Sequence, residues 1–146
     1  MFGDRVRSER KRILVVDQDG TIREFLANII KLLGCDSLLA ESVEEARRTL
    51  EEQAFDLLIT DPQLPECRKL IENCLQRLPN LRAIFMVQHR QVMAEAFHLS
   101  NTRFIPKPFN FDDMINTIRQ AMRDKHLQEM EAEFRRLRRE TFRILI

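Results

Sequence analysis

Phe55-Asp56-Leu57-Leu58-Ile59-Thr60-Asp61-Pro62 is the stretch that decides the fold. Leu57 to Thr60 form an apolar or β-branched run with no polar alternation, the pattern of a strand buried on both faces of a parallel sheet. Such a strand cannot hold an unpartnered carboxylate, so Asp61 must sit at its carboxyl end, where the chain leaves the core. Pro62 has no N–H to give a ladder and stops the strand there.

Two further stretches end in the same way. Ile13-Leu14-Val15-Val16 runs into Asp17-Gln18-Asp19, and Arg103-Phe104-Ile105 runs into Pro106-Lys107-Pro108. In a parallel sheet all carboxyl ends share one edge, the edge at which ligands bind in open α/β folds. Asp17, Asp61 and Lys107 are therefore expected to meet in space.

Outward from these strands the spacing predicts alternating helices. Thr21-x-x-Glu24 has the form of a capping box, followed by Ile22, Phe25, Leu26, Ile29, Ile30 and Leu33 at helical spacing until Gly34. Ser37 to Ala40 reads as a short edge strand, and Ser42-x-x-Glu45 as a second capping box opening a helix to about Gln53. After Pro65 a helix carries Leu70, Ile71, Cys74, Leu75 and Leu78, and Pro79-Asn80 ends it. Ala83 to Val87 is a fourth buried strand, Gln91 to Leu99 a shorter helix, and Asn110 caps a last helix over Phe111 to Met122. Five strand and helix units in alternation predict a doubly wound parallel sheet covered on both faces. Residues 1–11 read as a polar lead-in, 12–123 as the domain and 124–146 as a helical linker.

Composition sets outer limits. The 146 residues suffice for one domain with an appendage, and a net charge of +1 argues against a protein-wide nucleic-acid field. Cys35, Cys67 and Cys74 form no CxxC and are odd in number, as expected of reduced cysteines in a cytoplasmic protein. The apolar run after the basic amino terminus is too short for a signal peptide, and nothing approaches the ~18 apolar residues of a membrane span. His89, His98 and His126 show no metal-ligand spacing, and the Arg135 to Arg139 cluster is flanked by Glu129, Glu131, Glu133 and Glu140, which favours a solvated helix.

Ile13-Leu-Val-Val-Asp17, then Asp56-Leu-Leu-Ile-Thr-Asp61 with Pro65 four residues on, then Lys107-Pro108-Phe109, resembles the response-regulator receiver domain of two-component signalling, over roughly Arg12 to Arg123. The resemblance implies a flavodoxin-like strand order 2-1-3-4-5, a cis Lys107-Pro108 peptide and Asp61 as phosphoacceptor. It also implies a histidine kinase or phosphotransfer protein as donor, with Lys107 pairing the developing charge. Mg²⁺ needs hard oxygen ligands, and Asp17, Asp61 and the backbone carbonyl of Gln63 are what the edge offers.

Two positions depart from the family pattern. Gln18 stands where a second acid is usual, so it is at most a weak ligand and Mg²⁺ is expected to bind weakly. Val87 stands where a hydroxyl residue usually links the phosphoryl group to the aromatic of the fifth strand, here Phe104, so this switch pair is altered. One alternative is a pseudo-receiver that works by protein contact without phosphorylation. Another lies in Asp17-Gln18-Asp19-Gly20-Thr21, which matches the DxDGT signature of haloacid-dehalogenase-like phosphatases, although Asp112-Asp113 falls in the first turn of a helix and supplies no acidic pair at a strand end. The expected domain turns over nothing but its own aspartyl phosphate, and passes its state to an output domain beyond Ile146.

Leu127, Met130, Phe134, Leu137, Thr141 and Ile144 recur at the a and d spacing of a coiled coil, with Glu133 at g and Arg138 at the following e. This predicts a parallel homodimer through 124–146, with no nucleic-acid or membrane contact. The alternative is an amphipathic helix folded back on its own domain.

Overall fold

A computed structural model of the chain describes residues 10–88 and 102–145, with side chains to 140. The expected helix at Gln91 to Leu99, and His89 and His98, lie outside the described residues.

Strands β1 (Arg12–Val16), β2 (Asp36–Ala40), β3 (Leu57–Thr60), β4 (Arg82–Val87) and β5 (Thr102–Pro106) form one parallel sheet in the order β2-β1-β3-β4-β5. Helices α1 (Gly20–Leu32), α2 (Val43–Glu52), α3 (Cys67–Arg77) and α4 (Phe111–Leu145) accompany it. The absence of alternation in β3 has a direct cause. Leu58 joins Leu14, Phe85, Ala46, Leu50, Ile71 and Cys74 in one core, under α2 and α3. Leu57 and Ile59 join Ile13, Val15, Leu26, Ile29, Met114 and Ile118 in a second, under α1 and α4. Both faces are covered, so both sets of side chains must be apolar.

The helix ends follow local chemistry, with one correction. The expected capping box at Thr21 is not used, because Asp19 caps α1 two residues earlier: its Oδ1 accepts from Thr21 N at 2.9 Å, and its carbonyl takes the bond from Arg23 N. A carboxylate is the better cap where both compete. Gly34, at φ +75°, ends α1 in a Schellman motif, with Cys35 N bonded to Ile30 O and Gly34 N to Lys31 O. Ser42 caps α2 as expected, accepting from Glu45 N at 3.2 Å, while Glu45 reaches back to Glu41 N at 3.0 Å. Asn110 Oδ1 accepts from Asp113 N at 2.8 Å at the start of α4.

Glu66, before α3, has φ 64° and makes no side-chain cap bond. A left-handed non-glycine residue is strained by about 1–2 kcal/mol, and glycine has no Cβ to suffer it. Glu66→Gly is therefore expected to stabilise the fold by about 1 kcal/mol, read as a higher denaturant midpoint at constant slope; an unchanged or lower midpoint contradicts this.

The helix expected to stop at Met122 does not stop. No Gly, Pro or cap residue interrupts the chain there, and α4 runs 35 residues, to Leu145, about 50 Å at 1.5 Å per residue. Its root is tied to the amino edge of the sheet. Lys125 Nζ donates to Asn80 O at 2.8 Å and pairs with Asp56 at 3.1 Å, and Asp124 takes a two-pronged Arg103 at 2.6 and 3.1 Å. Arg82 donates to Asp124 O and to Gln128. The hydrogen bond from Arg103 holds the Asp124 carboxyl below its ordinary range. From residue 129 to 140 every side chain is exposed, so the helix is not folded back on its domain. No helix of the described residues is long and apolar enough to cross a membrane.

Candidate functional site

Strand alternation aims three charged groups at one place. Val15 and Ile59 lie in the second core, so Asp17 and Asp61, two residues further along β1 and β3, continue that face beyond its apolar part. Lys107 stands in the same relation to Ile105. The parallel ladders extend one residue further, through Asp17 N to Ala40 O, Asp61 N to Val16 O and Lys107 N to Val87 O, and hold the three main-chain positions level.

Lys107 Nζ donates to Asp17 Oδ2 at 2.9 Å and to Asp61 Oδ2 at 3.0 Å. The other oxygen of each carboxylate accepts a main-chain N–H from its own loop: Asp17 Oδ1 from Asp19 at 2.8 Å, and Asp61 Oδ1 from Gln63 at 2.9 Å. Asp17 is 3% exposed, so its charge depends on these partners. Burial pushes the Lys107 ammonium down, but its bonds to Asp17 and Asp61 outweigh that and the net pKa lies above the ordinary lysine value. The Lys107-Pro108 peptide is cis.

This arrangement brings together Asp17, Asp61 and Lys107, and it is the Gln63 N–H that meets the Asp61 carboxylate. Gln18 is exposed on the β1–α1 loop. Arg23, which sequence reasoning missed, pins that loop by donating to Asp17 O at 2.7 Å and Gln18 O at 3.0 Å. Its position on α1, a turn beyond the loop, is the only sequence signal for that role. Asp19, the acid–base candidate of the phosphatase reading, spends its carboxylate on the α1 cap.

Val87 requires a correction. It is buried in the first core, on the sheet face opposite Asp17 and Asp61, together with Phe104, the half-buried aromatic of β5, whose ring lies 5.5 Å from that of Phe85. Ile84 and Met86 share the second core with Ile59, so Gln88, not Val87, continues the Asp61 face at the end of β4. Gln88 is exposed. Cys67, behind the site, is buried against Thr60 Oγ1 at 3.4 Å, and burial lifts its thiol to about 11. That places it among inert cysteines.

The oxygens fit Mg²⁺, which takes hard ligands: Asp17 Oδ2 and Asp61 Oδ2 already converge on one cationic group. No group of three or more His, Cys, Asp or Glu side chains suited to a metal occurs among the described residues. Among the described residues, two carboxylates are therefore what this edge would offer a metal ion.

Comparison with known proteins agrees with this geometry. The family model described as "Response regulator receiver domain" matches residues 13–119. The transcriptional regulatory protein CrdR of Helicobacter pylori is 25% identical over 126 residues, covering 83% of this chain and 59% of that protein. The DNA-binding transcriptional regulator NtrC of Escherichia coli is 28% identical over 127 residues, covering 84% of this chain and 27% of that protein. The chain thus spans less than two thirds of the length of either relative. The crystal structure of NtrX from Brucella abortus in complex with ADP superposes with a TM-score of 0.78 at 23% identity, over 86% of this chain and 29% of that one, a likeness of fold. With the family model matched across β1 to α4, the chain belongs to the response-regulator receiver domain family of two-component signalling.

Proposed function

We propose that Asp61 accepts a phosphoryl group from the phosphohistidine of a histidine kinase or phosphotransfer protein. The observation that carries this is the single ammonium of Lys107 held 2.9 and 3.0 Å from Asp17 and Asp61. An Asp61 carboxylate oxygen attacks phosphorus, the P–N bond breaks, and the electron pair leaves with the donor imidazole. Lys107 stays beside the oxygens on which charge accumulates, a placement that lowers the barrier because no reorganisation is needed. Receiver domains generally bind Mg²⁺ at their acidic site. Here Asp17, Asp61 and the Gln63 carbonyl would hold it, Gln18 weakly, and the ion would neutralise the incoming phosphoryl oxygens. The chain turns over no other substrate in this reading.

The test is chemical. After incubation with a small acyl phosphate and Mg²⁺, the chain is expected to carry a modification lost in hydroxylamine, as an aspartyl phosphate is and a phosphoserine is not. No uptake at any Mg²⁺ concentration favours the second reading, a pseudo-receiver. Gln18 in place of an acid favours that reading, as do four carboxylate oxygens already engaged by Lys107, Asp19 and Gln63.

Mg²⁺ affinity is expected to be low, and Gln18→Asp is expected to tighten it about tenfold by adding a hard anionic ligand. The chain has no Trp or Tyr, so calorimetry is the measurement. Unchanged affinity in the variant places residue 18 away from the metal.

The state reaches an output element through α4. CrdR and NtrC are named transcriptional regulators, and by analogy with them the output element here is a DNA-binding domain of a cytoplasmic regulator. The whole chain carries a net charge of only +1, which argues against nucleic-acid binding by the receiver itself.

A further inference from the structure

At the amino edge of the sheet, on the face of the second core, the end of α1 and the middle of α4 leave a groove of about 570 Å³ between them, within the size range of small-molecule sites. Its floor is apolar. Leu32, the last residue of α1, is 70% exposed, and Leu33, Cys35 and Met122 lie half-buried around the buried Ile118. Its rim carries Lys11 from the start of β1, and Arg119, Arg123 and His126 from α4, with no acid among the lining residues. Arg119 and Arg123 stand one helical turn apart, and among the described residues neither has an ion pair or a side-chain hydrogen bond. Lys11 is 4.0 Å from Asp56, whose carboxylate is already engaged by Arg12 N and Lys125. Unpaired guanidinium groups beside open apolar surface complement one kind of molecule, an anion that carries an apolar tail.

We propose that this groove binds a free amphiphile with a single anionic head and an aliphatic tail, of the class of a medium-chain fatty acid. The head lies between Arg119, Arg123 and Lys11, and the tail runs along Leu32, Leu33, Cys35 and Met122. The distribution of exposure argues against a bilayer as the occupant. Leu32 alone of the floor stands clear of the surface. Leu33, Cys35, Met122 and Ile118 are recessed, where a flat membrane does not reach them and a single chain does. A ligand held here joins α1 to α4 within one turn of Lys125, the residue that roots α4 on the sheet. The groove lies at the edge opposite Asp17, Asp61 and Lys107, so this inference goes beyond phosphoryl acceptance and does not depend on it.

Cys35 is a local reporter, since it lines the groove half-buried while Cys67 and Cys74 are buried. Laurate, below its micelle concentration, is expected to bind the full chain at a single site in calorimetry. At about ten times its dissociation constant it is expected to slow iodoacetamide alkylation of Cys35 about tenfold, by mass action. Arg119→Glu and Arg123→Glu, at exposed positions that leave the domain folded, are each expected to weaken laurate binding about tenfold or more, by removing a charge-assisted contact. Dodecyltrimethylammonium, with the same tail and the opposite head, is expected to leave Cys35 unprotected, and so are phosphatidylglycerol vesicles. No protection of the wild type by laurate, equal protection by the cationic amphiphile, or laurate binding indifferent to both glutamate variants overturns the proposal. Protection by the vesicles identifies a bilayer surface and overturns it as well.

Discussion

Lys107→Met is expected to lower the rate of phosphoryl uptake by about a hundredfold or more, the scale of losing one preorganised charge partner at a reacting centre. The same change removes the ammonium that bridges Asp17 and Asp61. Asp17 is 3% exposed and would be left beside a second carboxylate, so unfolding free energy is expected to fall by about 3 kcal/mol at neutral pH. The pH dependence follows from the raised Lys107 pKa. A lysine whose folded pKa lies above the unfolded value of about 10.4 contributes stability that is complete below that value and is lost as pH rises through the folded pKa. Alkaline unfolding of the wild type should therefore include this loss, and Lys107→Met should lack it. Equal denaturant midpoints for the two proteins at pH 7 would contradict the bridge.

Asp56→Ala, at the opposite edge of the sheet, is expected to cost about 3 kcal/mol. Asp56 Oδ2 accepts from Arg12 N at 2.8 Å, and Oδ1 faces Lys125 Nζ at 3.1 Å. Lys125 is 6% exposed, and without Asp56 it keeps, among the described residues, Asn80 O and the more distant Glu129, at 3.8 Å. Lys125→Met in the Asp56→Ala background is expected to recover about 1–2 kcal/mol, since it removes the stranded charge. Additive losses in the double variant would mean that the pair is not coupled. Phosphoryl uptake should be retained in every folded variant here, because this clamp and the proposed acceptor Asp61 lie at opposite ends of the strands.

The cluster of Asp17, Asp61 and Lys107 was legible because buried parallel strands announce themselves by uninterrupted apolar runs, and the first charge after each run marks the sheet edge. Asp17, Asp61 and Lys107 each follow such a run. The same property hid the placement of Val87. A strand apolar on both faces carries no alternation, so a one-residue difference in register between Val87 and Gln88 leaves no trace in composition. Only the packing of Phe85 and Val87 into one core and Met86 into the other reveals it. Asp19 and Thr21 are both good caps two residues apart, and propensity alone does not choose between them when tertiary packing sets where the helix begins. The clamp at the root of α4 was illegible for another reason: Asp56, Arg103 and Lys125 are distant in sequence and look like ordinary surface charges until the sheet brings them together.

The most direct measurement is the intact mass of the wild type and of Asp61→Asn after parallel incubation with a small acyl phosphate and Mg²⁺. The geometry around Lys107 predicts that the wild type gains the mass of one phosphoryl group and that Asp61→Asn gains none. An equal gain in both proteins, or no gain in the wild type, would contradict Asp61 as the phosphoacceptor.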